Sequence, residues 1–224
     1  MSDPIPDQLN EDHALALLKR RDLPRETLEA LSKNGALAQQ PKVRMALVTH
    51  PHTPRHISLP TIRHLYAFEL MQVALLPGVA ADVKRAAEEV LIGRLATITS
   101  GERHPLAKRA SGRVAAALLT DKEERVMQAA LLNPQMTELL LARALKRDAG
   151  TELLASAVAN HQKWIHRTEI KNALLCNRNT PGAKLAQIAR GTPLYVLKLL
   201  IREGTLPRRA KQAVQEVLDK KIRS

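Results

Sequence analysis

The sequence predicts an all-α chain, organised as a solenoid of stacked helical pairs, and three observations carry that expectation. The apolar residues make up 45% of the chain and are mostly Leu and Ala, while the aromatics are one Trp, two Tyr and one Phe. Small Ala lets helices approach and Leu fills the seams, whereas strands favour Val, Ile and aromatic residues. The second observation is recurrence: an apolar helical stripe runs into a polar turn and then a new stripe at 46–54, 130–137 and 173–181. The third is spacing. The anchors Leu17, Leu47, Leu75, Leu131, Val158, Leu174 and Leu200 recur at separations of 26 to 30 residues, with a double unit between 75 and 131 and a half unit between 158 and 174. A period of that size marks units that cannot bury their apolar faces alone and must stack.

The elements follow in order. Residues 1–10 read as a flexible, acidic, proline-broken lead-in, and 11–224 as a single helical-repeat domain. Glu11–Lys19 is a first helix. Pro24 starts a second, which Asn34-Gly35 ends. Residues 36–42 are a polar connector, and Val43–Thr49 is helical. Pro51 and Pro54 make 50–54 a turn, since two prolines three apart do not share a helix interior. A long helix is expected over 60–76 with Leu65, Tyr66 and Leu70 on its stripe, then one over 80–98, a loop at 99–104 and a helix over 105–120 with Ser111-Gly112 inside it. Helices over 122–132, 136–147, 151–160, 164–176, 181–190, 193–203 and 207–221 complete the chain, the 136–147 stripe using Leu139, Leu140, Ala142 and Leu145. Thr53 and Thr180 are expected to accept hydrogen bonds from the next helix's free N–H groups, with Pro54 and Pro181 at its first position. Asn133 and Asn177 suit turns because Asn bonds locally and tolerates left-handed backbone.

The segments VRMALVTHPHTP (43–54), VMQAALLNPQMT (126–137) and IKNALLCNRNTP (170–181) resemble the variant leucine-rich repeat, a short all-helical relative of the HEAT repeats. The resemblance implies a right-handed α-solenoid in which 3₁₀ turns replace some helices, and it specifies architecture rather than function. Some members of that class hold an iron–sulfur cluster on N-terminal cysteines. This chain lacks them, its one cysteine being Cys176, so no cofactor carries over.

The net charge of +13 is unevenly placed: residues 1–30 sum to −3 and residues 160–224 to +10. A basic C-terminal third points to an anionic partner. The candidate partner-binding cations recur along the stack: Lys84, Arg85, Lys108, Arg109, Arg143, Lys146, Arg147, Lys163, Arg167, Lys171, Arg208, Arg209 and Lys211. At equivalent repeat positions such cations line up on one surface. No apolar run reaches the ~18 residues of a membrane span, and the acidic N-terminus is unlike a secretory signal, so a cytoplasmic protein without a membrane partner is expected.

Chemistry leaves weaker marks. His50, His52, His56 and His64 cluster in sequence, but prolines interrupt them and no carboxylate lies between Pro51 and Phe68, which favours surface histidines over a metal site. Cys176 reads as a small buried residue. No glycine loop or nucleophile motif appears, so no catalytic residue is assigned. The expectation is a non-enzymatic binding or scaffold protein that holds an acidic protein partner, ahead of DNA or RNA because aromatic stacking platforms are scarce. Within the nucleic-acid alternative, a HEAT-like DNA glycosylase would hold a damaged nucleotide with Trp164 and Glu169. The i, i+5 spacing of that pair and the lack of a second Trp favour Trp164 in an inter-repeat seam.

Overall fold

The computed structural model describes residues 10–146 and 151–223, the side chains of Ile222 and Arg223 excepted. The described residues hold sixteen helices and no strand, so the chain is all-α. The chain divides into two compact units, Met1–Ile98 and Thr99–Ser224. The expected lead-in lies outside the described residues except Asn10, which caps the first helix by accepting from the His13 N–H at 2.9 Å.

The N-terminal unit contains α1 (Glu11–Leu18), α2 (Arg25–Lys33), α3 (Gly35–Ala38), α4 (Pro41–Thr49), α5 (Arg55–Ile62), α6 (Ala67–Leu75) and α7 (Ala81–Arg94). Ala14, Leu18, Leu28, Leu31, Val43 and Leu47 form one buried cluster. α1 packs on α4, α4 on α5 and α6, and α7 on both α5 and α6. The helix expected over 60–76 is two helices. α5 begins directly after Pro54, and Pro60 falls inside it near its end, where the missing N–H cannot extend the ladder. A bend over 63–65 follows, and two arginines hold it. Arg94 donates to the carbonyls of Leu65, at 2.7 Å, and of Arg63. Arg44 donates to the carbonyls of Ala38 and His64. Tyr66, expected on the buried stripe, is exposed.

The C-terminal unit contains α8 (Ser100–Arg109), α9 (Gly112–Leu118), α10 (Glu124–Leu131), α11 (Glu138–Lys146), α12 (Glu152–Asn160), α13 (Thr168–Cys176), α14 (Gly182–Arg190), α15 (Leu194–Glu203) and α16 (Arg208–Arg223). Each helix from α8 to α11 packs on the next but one (α8 on α10, α9 on α11, α10 on α12, α11 on α13), as does α14 on α16, while α9 also packs on both α8 and α10, α13 on α14 and α15 on α16. The loop expected at 99–104 is the first turn of α8. Thr99 and Glu102 cap each other's backbone N–H groups at 3.3 and 3.2 Å, a reciprocal box that fixes the helix start. The helix expected over 105–120 breaks at Ala110-Ser111, where the backbone turns extended (ψ 172° and 158°), and Gly112 then opens α9 against the turn after α10. A Cβ on Gly112 would fall on the Gln135 carbonyl oxygen and lie 3.0 Å from Leu140 Cδ1. Arg103 and Asp121 form a nearly buried pair at 2.6 Å, with side-chain exposures of 17% and 6%. The hydrogen bond that Arg103 donates to Asp121 raises the Arg103 pKa against its desolvation.

Among the described residues five turns share one device, one of them closed by the Glu123 N–H donating to Asp121 Oδ1 at 2.9 Å. His52 N–H donates to His50 Nδ1 (3.2 Å), Gln135 N–H to Asn133 Oδ1 (2.7 Å), Lys163 N–H to His161 Nδ1 (3.2 Å) and Asn179 N–H to Asn177 Oδ1 (2.7 Å). Three of these side chains also reach the end of an earlier helix or the turn after it. Asn133 Nδ2 donates to the carbonyls of Ala107 and Ala110, and Asn177 Nδ2 to that of Leu145. His50 Nε2 lies 2.8 Å from the Arg20 carbonyl. Because Nδ1 accepts, the proton of neutral His50 sits on Nε2. The expected left-handed backbone is not why Asn serves here, since no described residue other than glycine has positive φ.

The threonine caps differ as well. Pro181 and Pro54 are themselves the N-caps and carry no side-chain bond. Thr180 instead donates to the Leu174 carbonyl at 2.6 Å, closing the helix before it. Thr137, which no proline follows, does cap α11, accepting from the Leu140 N–H at 3.3 Å.

Candidate partner-binding surface

Charge separates the two units. Residues 1–98 carry 12 Lys/Arg against 11 Asp/Glu, a net +1, and residues 99–224 carry 23 against 11, a net +12. Many cations of the N-terminal unit are engaged in its own structure. Arg44 and Arg94 clamp the 63–65 bend, Arg25 pairs with Glu29 at 3.2 Å and Arg55 with Asp82 at 2.6 Å. In the C-terminal unit Arg103 pairs with Asp121 and Arg125 with Glu123.

The candidate cations fall into distinct settings. Lys84 and Arg85 lie on α7 of the N-terminal unit, Lys84 half-buried and Arg85 exposed. Lys108 and Arg109 are exposed in the last turn of α8, where the helix dipole favours them. Arg143 and Lys146 are exposed in the last turn of α11. Arg147 lies outside the described residues. Lys163 sits with Nζ 4.3 Å from the Trp164 ring centre, and Arg167 precedes α13. Arg208, Arg209 and Lys211 open α16, a helix start with no acid to offset them. Lys171 is the exception. Its ammonium donates to the Gly191 carbonyl at 2.6 Å and Lys221 donates to the Arg190 carbonyl at 3.2 Å, so both hold the C-terminal end of α14. Lys171 is therefore a structural clamp rather than a free contact.

One groove brings several of these residues together. α11 packs on α13, and between them lies a cavity of about 340 Å³ lined by Glu138, Leu139, Ala142, Arg143, Lys146 and Glu169. Leu139, Arg143 and Lys146 stand at i, i+4 and i+7 and so share one face of α11. Leu139 is 59% exposed instead of belonging to the core stripe, which runs through Leu141, Ala142, Ala144 and Leu145. Four apolar residues in a row, 139–142, left the phase of that stripe open. α15 repeats the arrangement, with Tyr195, Lys198, Leu199 and Arg202 exposed and Tyr195 at 72%. These exposed apolar residues are the part of the surface that composition and charge did not reveal.

The residues singled out for chemistry are placed differently. Trp164 is 3% exposed and its Nε1–H donates to the Leu131 carbonyl at 3.4 Å. Its faces are covered, so it offers no platform for a nucleotide, while Glu169 faces the α11–α13 groove. Among the histidines, His52, His56 and His64 are exposed, but His50 is buried, contrary to the expected surface position. No group of three metal-binding side chains occurs among the described residues. Cys176 is half-buried with Sγ 3.7 Å from the Thr205 hydroxyl. No helix among the described residues is long and apolar enough to cross a membrane.

No family model, no curated protein and no solved structure matches this chain.

Proposed function

We propose that the chain is a non-enzymatic, cytoplasmic helical-repeat protein whose C-terminal unit holds an acidic protein segment. In this reading the helical pairs stack as a right-handed solenoid of the variant leucine-rich-repeat or HEAT-like kind. Support for the stacking comes from the one-element skip in packing from α8 to α13 and between α14 and α16, and from the side-chain staples of His50, Asn133 and Asn177 onto earlier helix ends.

The observation that carries the function is the exposed cation set of a +12 unit standing beside exposed leucines. Arg143 and Lys146 have no carboxylate in ion-pair reach among the described residues and flank Leu139 on one helix face. A phosphate backbone needs cations alone, whereas a partner that presents acids and apolar side chains together uses both. Buried Trp164 leaves this unit without an aromatic base-stacking surface at that point.

The test is a salt series with two probes, an amphipathic peptide of alternating Leu and Glu and a random-sequence duplex DNA. The peptide should bind at physiological salt, and Arg143→Glu with Lys146→Glu should weaken it about tenfold or more. If the duplex binds more tightly at every salt concentration, with a log–log slope of several phosphates, the partner is a nucleic acid and the protein-binding reading is lost.

A further inference from the structure

A second site lies in the N-terminal unit, where the proline-rich turn at 51–54 meets the start of α2. Arg25, His52, Thr53, Pro54, Arg55 and His56 line a pocket of about 440 Å³. Arg25 and Arg55 hold the same place in their helices, each the first residue after a proline N-cap with no side-chain cap. In α5 the bonds to the Pro54 carbonyl begin at Ile57, so the N–H groups of Arg55 and His56 have no helix partner and point out of the helix start.

Thr53 is 3% exposed, and its Oγ1 has no hydrogen-bond partner among the described residues. A buried hydroxyl without a partner is costly, and the comparison with Thr180 sharpens the point: in the matching turn the hydroxyl donates to the Leu174 carbonyl. The turn itself is held in place by His50, which bonds the His52 N–H on one side and the Arg20 carbonyl on the other.

Both guanidinium groups are anchored through Nε. Arg25 Nε lies 3.2 Å from Glu29 and Arg55 Nε 2.6 Å from Asp82. Desolvation works to raise the Asp82 pKa, but the bonds from the Val83 N–H and Arg55 outweigh it and hold it below the usual carboxylate range. The anchor is thus ionised at neutral pH. Glu29 also lies 4.0 Å from His56 Nε2, and Asp22, held low by its hydrogen bond with Arg20, is the other acid near His52. An Nε anchor fixes the plane of a guanidinium and leaves its two Nη groups as a fork for a second anion.

We propose that this pocket binds a phosphoryl group. Two guanidinium forks and two backbone amides of a helix start line one pocket beside the buried, unsatisfied Thr53 hydroxyl, a donor set that suits a tetrahedral oxyanion better than a planar carboxylate. The pocket is larger than phosphate alone, so the natural ligand is a phosphomonoester whose carrier occupies the remaining space.

The experiment follows the amide signals of Thr53, Arg55 and His56 by NMR while the full-length protein is titrated with inorganic phosphate, with phosphoserine, and with chloride at matched ionic strength. Saturable shifts with phosphate, and tighter binding of phosphoserine, are expected. Arg25→Gln with Arg55→Gln should weaken binding at least about tenfold, and the milder Thr53→Val should weaken it measurably while keeping the helical circular dichroism of the parent. Lys122→Glu, at an exposed position of the other unit, should leave phosphate binding unchanged. No saturable shift up to ~20 mM phosphate, an equal response to chloride, or unaltered binding in Thr53→Val and the arginine pair would each overturn the site.

Discussion

Asn133 occupies its turn with a completeness that few residues in the chain match. It is 2% exposed, accepts from the Gln135 N–H, and donates to two carbonyls that end α8, at 2.8 and 3.0 Å. Removing the amide leaves buried backbone groups without partners, which costs more than the net worth of the bonds themselves. Asn133→Ala should destabilise the protein by about 2–3 kcal/mol, read from the midpoint of urea unfolding. His50 does the same work with a longer side chain. Asn at 50 reproduces the Nδ1 acceptor and Gln the Nε2 donor, so His50→Asn and His50→Gln should each lose less stability than His50→Ala. Equal losses in all three variants would mean that ring packing, rather than the two hydrogen bonds, is what His50 supplies. The Asn turns were legible in sequence as local punctuation because the i+2 bond depends only on neighbours. Their reach to Ala107 and Leu145 was not, since it depends on which helix end folding brings alongside.

At the scale of elements, glycines separate packing from propensity. Gly112 opens α9 against the turn after α10, and a methyl there would strike the Gln135 carbonyl and crowd Leu140. Gly93 sits within α7 with nothing inside 4 Å of an added Cβ. Gly112→Ala should therefore cost about 1–3 kcal/mol through overpacking, whereas Gly93→Ala should stabilise by about 0.5–1 kcal/mol through helix propensity and a less flexible unfolded chain. Thermal unfolding of the two variants should move in opposite directions. If both shift upward, the close approach at Gly112 relaxes without cost and the α9–α10 contact is loose. Residues 105–120 carry one unbroken apolar pattern, and only the folded chain shows the break at Ala110-Ser111 that sets Gly112 against Gln135. The start of α8, by contrast, was written in the sequence as Thr99-x-x-Glu102, a capping signature that Gly101 and Pro105 disguised. Pro60 disguised α5 likewise, because proline at a helix start and proline near a helix end look the same in sequence. Among the anchors, Leu47, Leu131, Leu174 and Leu200 are buried while Leu17 and Leu75 are only half-buried, so the spacing located the helices better than their faces.

Across the whole molecule the governing feature is the division of charge, +1 in residues 1–98 against +12 in residues 99–224. A net charge steers any anion toward a protein, but its reach fades over a Debye length of ~8 Å at physiological salt. What distinguishes a binding face from a general field is therefore location. Arg143→Glu with Lys146→Glu and Lys33→Glu with Lys42→Glu each lower the net charge by four, taking +13 to +9, and all four positions are exposed. The first pair changes the groove beside Leu139, and the second changes the N-terminal unit away from any proposed contact. Binding of the Leu/Glu peptide at physiological salt should fall about tenfold or more in the first variant and about twofold or less in the second. At low salt the two losses should converge, because unscreened long-range attraction then dominates both. Equal losses at physiological salt would assign the affinity to net charge alone and would remove the α11 face as the place where a partner sits.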